Sequence, residues 1–215
     1  MARVLFAEGY DDHLAGHITV NLHDGTLLCN PWMLLWNELR PEQIIRIDLD
    51  GNVVEGDWPV PPGIPLHLEL HKMRPGVEVA MHNHPLYGTV WADMGEVPPA
   101  MDQSSSLGGG GELVLVDEYD GAVNDPNSAR KAIDKMGEAE LALLAGHGVF
   151  VLGKSIRAVH QRAVALEMAR RETITHGSPA EGMDPADVVA ALGDRRGPER
   201  VLDLIEPAAT GLLAH

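Results

Sequence analysis

The chain is short of several things at once. It has 1 cysteine, Cys29, in 215 residues, so no disulfide can close within it and a small fold stapled by disulfides is excluded. A reducing, cytoplasmic setting is expected. Aromatic residues make up only 4%, too few for a groove whose contact area comes from rings. Bases are scarce too: 16 Lys and Arg stand against 32 Asp and Glu, a formal net charge of −16. Phosphate backbones and anionic membrane surfaces both need clustered cations, so neither nucleic acid nor membrane is an expected partner. No apolar run approaches the roughly 18 residues of a membrane span. Met1–Glu8 holds too few apolar residues before its acid for a signal-peptide core.

What remains is an ordinary globular composition, 45% hydrophobic and 22% charged, which excludes wholesale disorder. The length suits one domain, with about 70% of its unfolded surface buried on folding. Histidines number 11, which directs attention to imidazole chemistry.

Alternation and β-branched residues predict strands over 17–22 and 26–29, joined by the turn signal His23-Asp24-Gly25. Ile45, Ile47 and Leu49 share one face of a further strand, and the run from Asp48 to Asn52 is its turn. It lacks the calcium-loop pattern. Pro65 suits the first turn of a helix carrying Leu66, Leu70 and Met73, which Pro75-Gly76 ends. A strand over 77–84, a helix over 86–94 and a strand over 112–116 follow. Asn127 or Ser128 is expected to cap a helix reaching Met136. Strands at 141–145 and 149–152 flank Gly146-His147-Gly148, and Ser155 caps the longest helix, whose apolar face is Ile156, Val159, Ala163 and Leu166. The texture then changes. A domain over 1–177 and a C-terminal appendage over 178–215 are expected, the latter packing on another surface such as a neighbouring subunit. Strands first and long helices later favour a mixed sheet with helices on its faces.

The strongest chemical signal is His82-Asn83-His84. Residues i and i+2 of a strand point the same way, so two imidazoles share one face at metal-ligand spacing. His147 lies between two glycines that let the backbone approach closely, and it is the third expected ligand. Three neutral imidazoles leave an open coordination position, the mark of a catalytic site. A divalent ion is therefore the expected cofactor: zinc first, with manganese, iron or cobalt as alternatives. The glycine run Gly108–Gly111 has no Lys-Ser/Thr after it and is not a phosphate loop. Tyr119 is a weak candidate acid. Glu69 and His71 fit a solvated helix face without a role.

In order, Ala15-Gly-His-Ile-Thr-Val20, Leu28-Cys-Asn-Pro-Trp32, Ile45-Arg-Ile-Asp-Leu-Asp-Gly51, Pro62-Gly63 to His67, Arg74-Pro75, His82-Asn-His84 and Gly146-His-Gly-Val-Phe-Val-Leu-Gly153 with Leu166-Glu167 resemble the class II aldolase/adducin family. The resemblance implies a three-layer α/β/α fold around a central, mostly antiparallel sheet. It also implies a metal-dependent lyase, often a homotetramer with sites between subunits. Sugar-phosphate aldolases, epimerases, aromatic-acid decarboxylases and the non-catalytic adducin head share it.

Three departures bear on substrate. Where the family's sugar-phosphate aldolases carry a Gly-Asn turn, a Ser/Thr-Gly turn and a Ser-Ser-Glu segment, this chain reads Gly16-His17, Trp32-Met33 and Pro61-Pro62-Gly63. Proline has no amide to donate, and Gly63 stands where the acid would be. The phosphate cradle and the carboxylate acid/base are thus expected to be missing together. The expected activity is carbon–carbon cleavage through a metal-stabilised enolate, first as decarboxylation of a hydroxylated aromatic or related non-phosphorylated acid. The alternatives are an aldolase on a non-phosphorylated carbonyl, a non-catalytic adducin-like interaction module, and an Fe(II) oxygenase. His17 and His67 are the expected catalytic residues, with His17 and Asn30 binding a small-molecule substrate.

Overall fold

The computed structural model describes residues 1–97, 113–117 and 125–176. The expected appendage over 178–215, Gly108–Gly111 and Tyr119 lie outside them. A compact unit, Met1–Thr175, carries the sheet and its flanking helices.

The strands are β1 (His17–Asn21), β2 (Thr26–Cys29), β3 (Ile45–Asp48), β4 (Val53–Glu55), β5 (Val79–Asn83), β6 (Leu113–Val116), β7 (Leu141–Leu144) and β8 (Gly148–Gly153). They form one sheet in the order β4-β3-β2-β1-β5-β8-β7-β6. Every pairing is antiparallel except β6 with β7. The helices are α1 (Ala2–Ala7), α2 (Pro65–Met73), α3 (Leu86–Met94), α4 (Pro126–Met136) and α5 (Ile156–His176).

Period-2 alternation sorts the sheet's side chains into two cores. On one face Ala80, Phe150, Leu152, Ala142 and Leu144 pack against Leu66 and Leu70 of α2 and Ala129, Ile133 and Met136 of α4. On the other, Val79, Met81, Val149, Val151 and Leu143 pack against Leu5, Trp91, Ala92, Val159, Ala163 and Leu166 from α1, α3 and α5. This is the three-layer α/β/α arrangement around a mostly antiparallel sheet.

Some local expectations change. Helix α4 starts two to three residues earlier than the cap signals imply: Asp125, not Asn127 or Ser128, caps it, accepting from the amides of Asn127 (2.9 Å) and Ser128 (3.1 Å). Pro126 at the first helical position explains the shift, since it needs no acceptor for an amide. Ser155 does cap α5, through the Ala158 amide at 3.1 Å. Glu69 and His71 are each only 3% exposed. They face the sheet and α4, not solvent.

Candidate metal centre and its pocket

The register sets the site. His17, the first residue of β1, is the cross-strand partner of His82 on β5. His82 is in turn paired with Phe150 on β8. His84 lies two residues past His82, just beyond the end of β5, on the same side of the chain. His147 sits in the turn from β7 to β8, its amide bonded to the Leu144 carbonyl at 3.0 Å. That turn comes so close to β5 that a Cβ on Gly148 would stand 2.6 Å from the Asn83 carbonyl oxygen. Only glycine permits the approach that brings His147 to its partners.

The three side chains meet. Ligand nitrogens of His82, His84 and His147 all lie within 4.8 Å of one another, and the ring centroids of His147 stand 4.5 Å from those of both His82 and His84. Two of the rings are oriented by their far nitrogens. His82 Nδ1 donates to the Val149 carbonyl at 2.9 Å, and His84 Nδ1 is hydrogen-bonded to the Asp12 carboxylate. Both contacts leave Nε2 as the bare lone pair, and His84 Nε2 is buried with no hydrogen-bond partner. This is how histidine ligands are held in metal sites.

The electrostatics favour a cation over protons. Burial, then the neighbouring His84, push the pKa of His147 down to about 4, against the opposing pull of Asp12. Burial holds His82 well below the ordinary imidazole value, with His17, His147 and His84 adding to the effect. Converging ring nitrogens with one adjacent carboxylate fit a divalent ion of the imidazole-preferring kind.

The rings form one wall of a cavity of about 280 Å³. Leu14, Ala15, Trp32, Pro62 and Leu66 make the rest apolar, and among the described residues no Lys or Arg lines it. Met33, expected beside Trp32, is 54% exposed and takes no part. His17 lines the cavity, its ring 5.4 Å from that of His82. Burial, then His84 and His147, push its pKa down to about 3. Gly63 lies flat against it: a Cβ there would collide with His17 Cε1 and stand 3.1 Å from Nε2. The imidazole thus fills the space that any side chain at 63 would need.

Two other expected site residues are placed differently. Asn30 does not face this cavity. Its Oδ1 accepts from the Ile18 amide at 2.7 Å, and its Nδ2 donates to the carbonyls of Gly16 (3.2 Å) and Pro31 (3.3 Å). All its polarity is used to pin the start of β1, hence His17. His67 is fully buried and lies behind His17 at 5.6 Å between ring centroids, not on the cavity wall. Conversely, sequence reasoning missed Asp12. One acid beside another in an acidic chain carries no local signal, and its partner His84 is 72 residues away.

Comparison with known proteins agrees with this fold. Residues 1–174 match the profile of the Class II Aldolase and Adducin N-terminal domain. The meiotically up-regulated gene 14 protein of Schizosaccharomyces pombe is 23% identical over 158 residues, 72% of this chain and 61% of that protein. The chain therefore spans about three fifths of that relative's length. The L-ribulose-5-phosphate 4-epimerase UlaF of Salmonella typhi is 27% identical over 173 residues, 76% of this chain and 75% of the epimerase. Among solved structures, YgbL of Klebsiella pneumoniae, named as a candidate aldolase/epimerase/decarboxylase, superposes with a TM-score of 0.71 at 25% identity, over 89% of this chain and 93% of its own.

Proposed function

The chain belongs to the class II aldolase and adducin family, and from that premise we propose that it is a divalent-metal-dependent carbon–carbon lyase decarboxylating a hydroxylated aromatic or related non-phosphorylated acid. The observation that carries the reading is the wall of four imidazoles facing an apolar cavity, with His17 packed on Gly63. An ion held by His82, His84 and His147 would supply positive charge beside the reacting carbon, which lowers the cost of the electron pair left there.

The protein's own residues do the rest. Val149 and Asp12 hold the rings of His82 and His84 with their lone pairs inward. Trp32, Leu14, Leu66 and Pro62 exclude water and offer flat apolar surface to a ring. In decarboxylation the bond to the carboxyl carbon breaks, CO₂ leaves, and the carbon that keeps the electron pair takes one proton. Among the described residues, His17 is the titratable side chain outside the triad that lines the cavity. Burial keeps it neutral, and an anionic substrate beside it raises its proton affinity again. Substrate binding is then the event that arms it. That no Lys or Arg lines the wall among the described residues, with Pro61-Pro62-Gly63 in place of amide donors, supports a substrate without a phosphate handle.

The test is CO₂ release from a panel of hydroxylated aromatic acids by metal-reconstituted protein, with His84→Ala as control. Activity that survives the substitution, or robust cleavage of fuculose 1-phosphate, overturns the reading. The runner-up is an aldolase on a non-phosphorylated carbonyl. The same triad suits it, because only the leaving fragment differs, and aldehyde release without CO₂ identifies it. A protein that takes up no metal from added Zn²⁺, Mn²⁺ or Co²⁺ is instead the adducin-like module.

A further inference from the structure

Behind the cavity, three buried polar side chains form a line that the proposed chemistry does not use. Thr19 Oγ1, on the same face of β1 as His17, lies 2.8 Å from His67 Nδ1 and 2.9 Å from His71 Nε2. Thr19 and His67 are 0% exposed and His71 is 3% exposed. His67 and His71 are one helical turn apart on α2, which stacks them over the sheet. The His67 ring is edge-on to His17 on one side and to Phe150 on the other.

A hydroxyl has one proton to give and can also accept. Buried away from solvent, Thr19 satisfies both rings at full value only by donating to one and accepting from the other. The two rings cannot then choose tautomers independently. If His67 carries its proton on Nδ1, Thr19 must donate to His71 Nε2, and His71 must carry its proton on Nδ1. If the direction reverses, both rings carry it on Nε2. Burial keeps both rings neutral, His67 well below the ordinary value and His71 down to about 4, so tautomer rather than charge is the variable. In either direction the two rings carry their proton on the same ring nitrogen.

We infer that Thr19 is a positioning residue that locks the tautomers of His67 and His71 together, both rings carrying their proton on the same ring nitrogen. His67 Nε2 has no hydrogen-bond partner among the described residues, so the lock decides whether the layer under His17 presents a lone pair or an N–H. The consequence for catalysis rests on the lyase reading; the lock itself does not.

The experiment is long-range ¹H–¹⁵N correlation spectroscopy of the full chain labelled with ring-¹⁵N histidine, which separates protonated from bare ring nitrogens. Wild type is expected to show His67 and His71 each as a single tautomer, with the proton on the same ring nitrogen in both. Thr19→Val is expected to lose that match, and Thr19→Ser to restore it. A wild-type spectrum with one ring protonated on Nδ1 and the other on Nε2 overturns the proposal without any variant, as does a folded Thr19→Val that keeps the wild-type tautomers. The readout needs neither metal nor substrate, so a failed activity screen leaves it standing and its own failure leaves the lyase reading untouched.

Discussion

At the scale of single residues, the site depends on contacts that make two sharp predictions. Asp12 is hydrogen-bonded to His84 and lies off the cavity wall. Asp12→Asn should leave the fold intact and weaken metal binding about 10–100-fold, the usual cost of losing such an orienting carboxylate. Competition with a chromophoric chelator measures it, and unchanged affinity would make the contact incidental. Gly63→Ala acts on the other wall. Its methyl collides with His17, so the ring must move or the loop must give. Metal content should match wild type while substrate turnover falls. Equal loss of both would place the effect on the fold instead of on His17. The two variants thus separate holding the ion from handling the substrate.

Between elements, the joint that seats the pocket's helix is ionic. Glu69 on α2 is 3% exposed and accepts from Arg130 Nε on α4 at 2.6 Å and from Lys72 Nζ at 3.0 Å. Burial alone would raise its pKa, but the hydrogen bonds from Arg130 and Lys72 outweigh it and the net shift is downward. A carboxylate with a lowered folded pKa stabilises above its unfolded value and loses that contribution as pH falls through the folded one. Glu69→Gln should therefore cost about 1–3 kcal/mol at neutral pH, read from urea midpoints. Its stability should also fall less steeply than wild type between roughly pH 5 and pH 3. Parallel curves would show that the pair is neutral to folding. The same helix carries Leu66, His67 and His71, so this joint also sets how α2 lies over the cavity.

For the whole molecule, buried neutral histidines oppose acid. His71, lowered to about 4, and His67, lowered further, bind protons in the unfolded chain before they do in the folded one. Between about pH 6.5 and 4 the unfolded state holds more protons, so stability must fall as pH falls, by up to about 1.4 kcal/mol per pH unit for each such ring. Urea unfolding of chelator-treated protein across that range checks it, and a flat profile would mean that the rings are charged in the native state.

Much of this was legible in local pattern. Strands β1 and β2 follow from alternation, α3 from its spacing, and the α5 cap from Ser155. Helix α1 and strand β4 were not, because α1 has 6 residues without a side-chain cap and β4 has 3 residues, all exposed. Neither has enough periodicity to register. Glu69 and His71 misled for another reason: polar residues on a helix read as a wet face until a partner helix and a strand hydroxyl are known to cover them.

The chain alone determined that His82 and His84 share a side, since strand period is a local property. It also determined that His147 has a backbone free to come close, since its glycine neighbours are written beside it. Tertiary structure decided that these rings meet, that His17 stands beside them through its pairing with His82, and that Asp12 aims His84. Those facts depend on strand order and loop closure. Both are set by burying apolar faces across the whole sheet, and no short window of sequence contains that information.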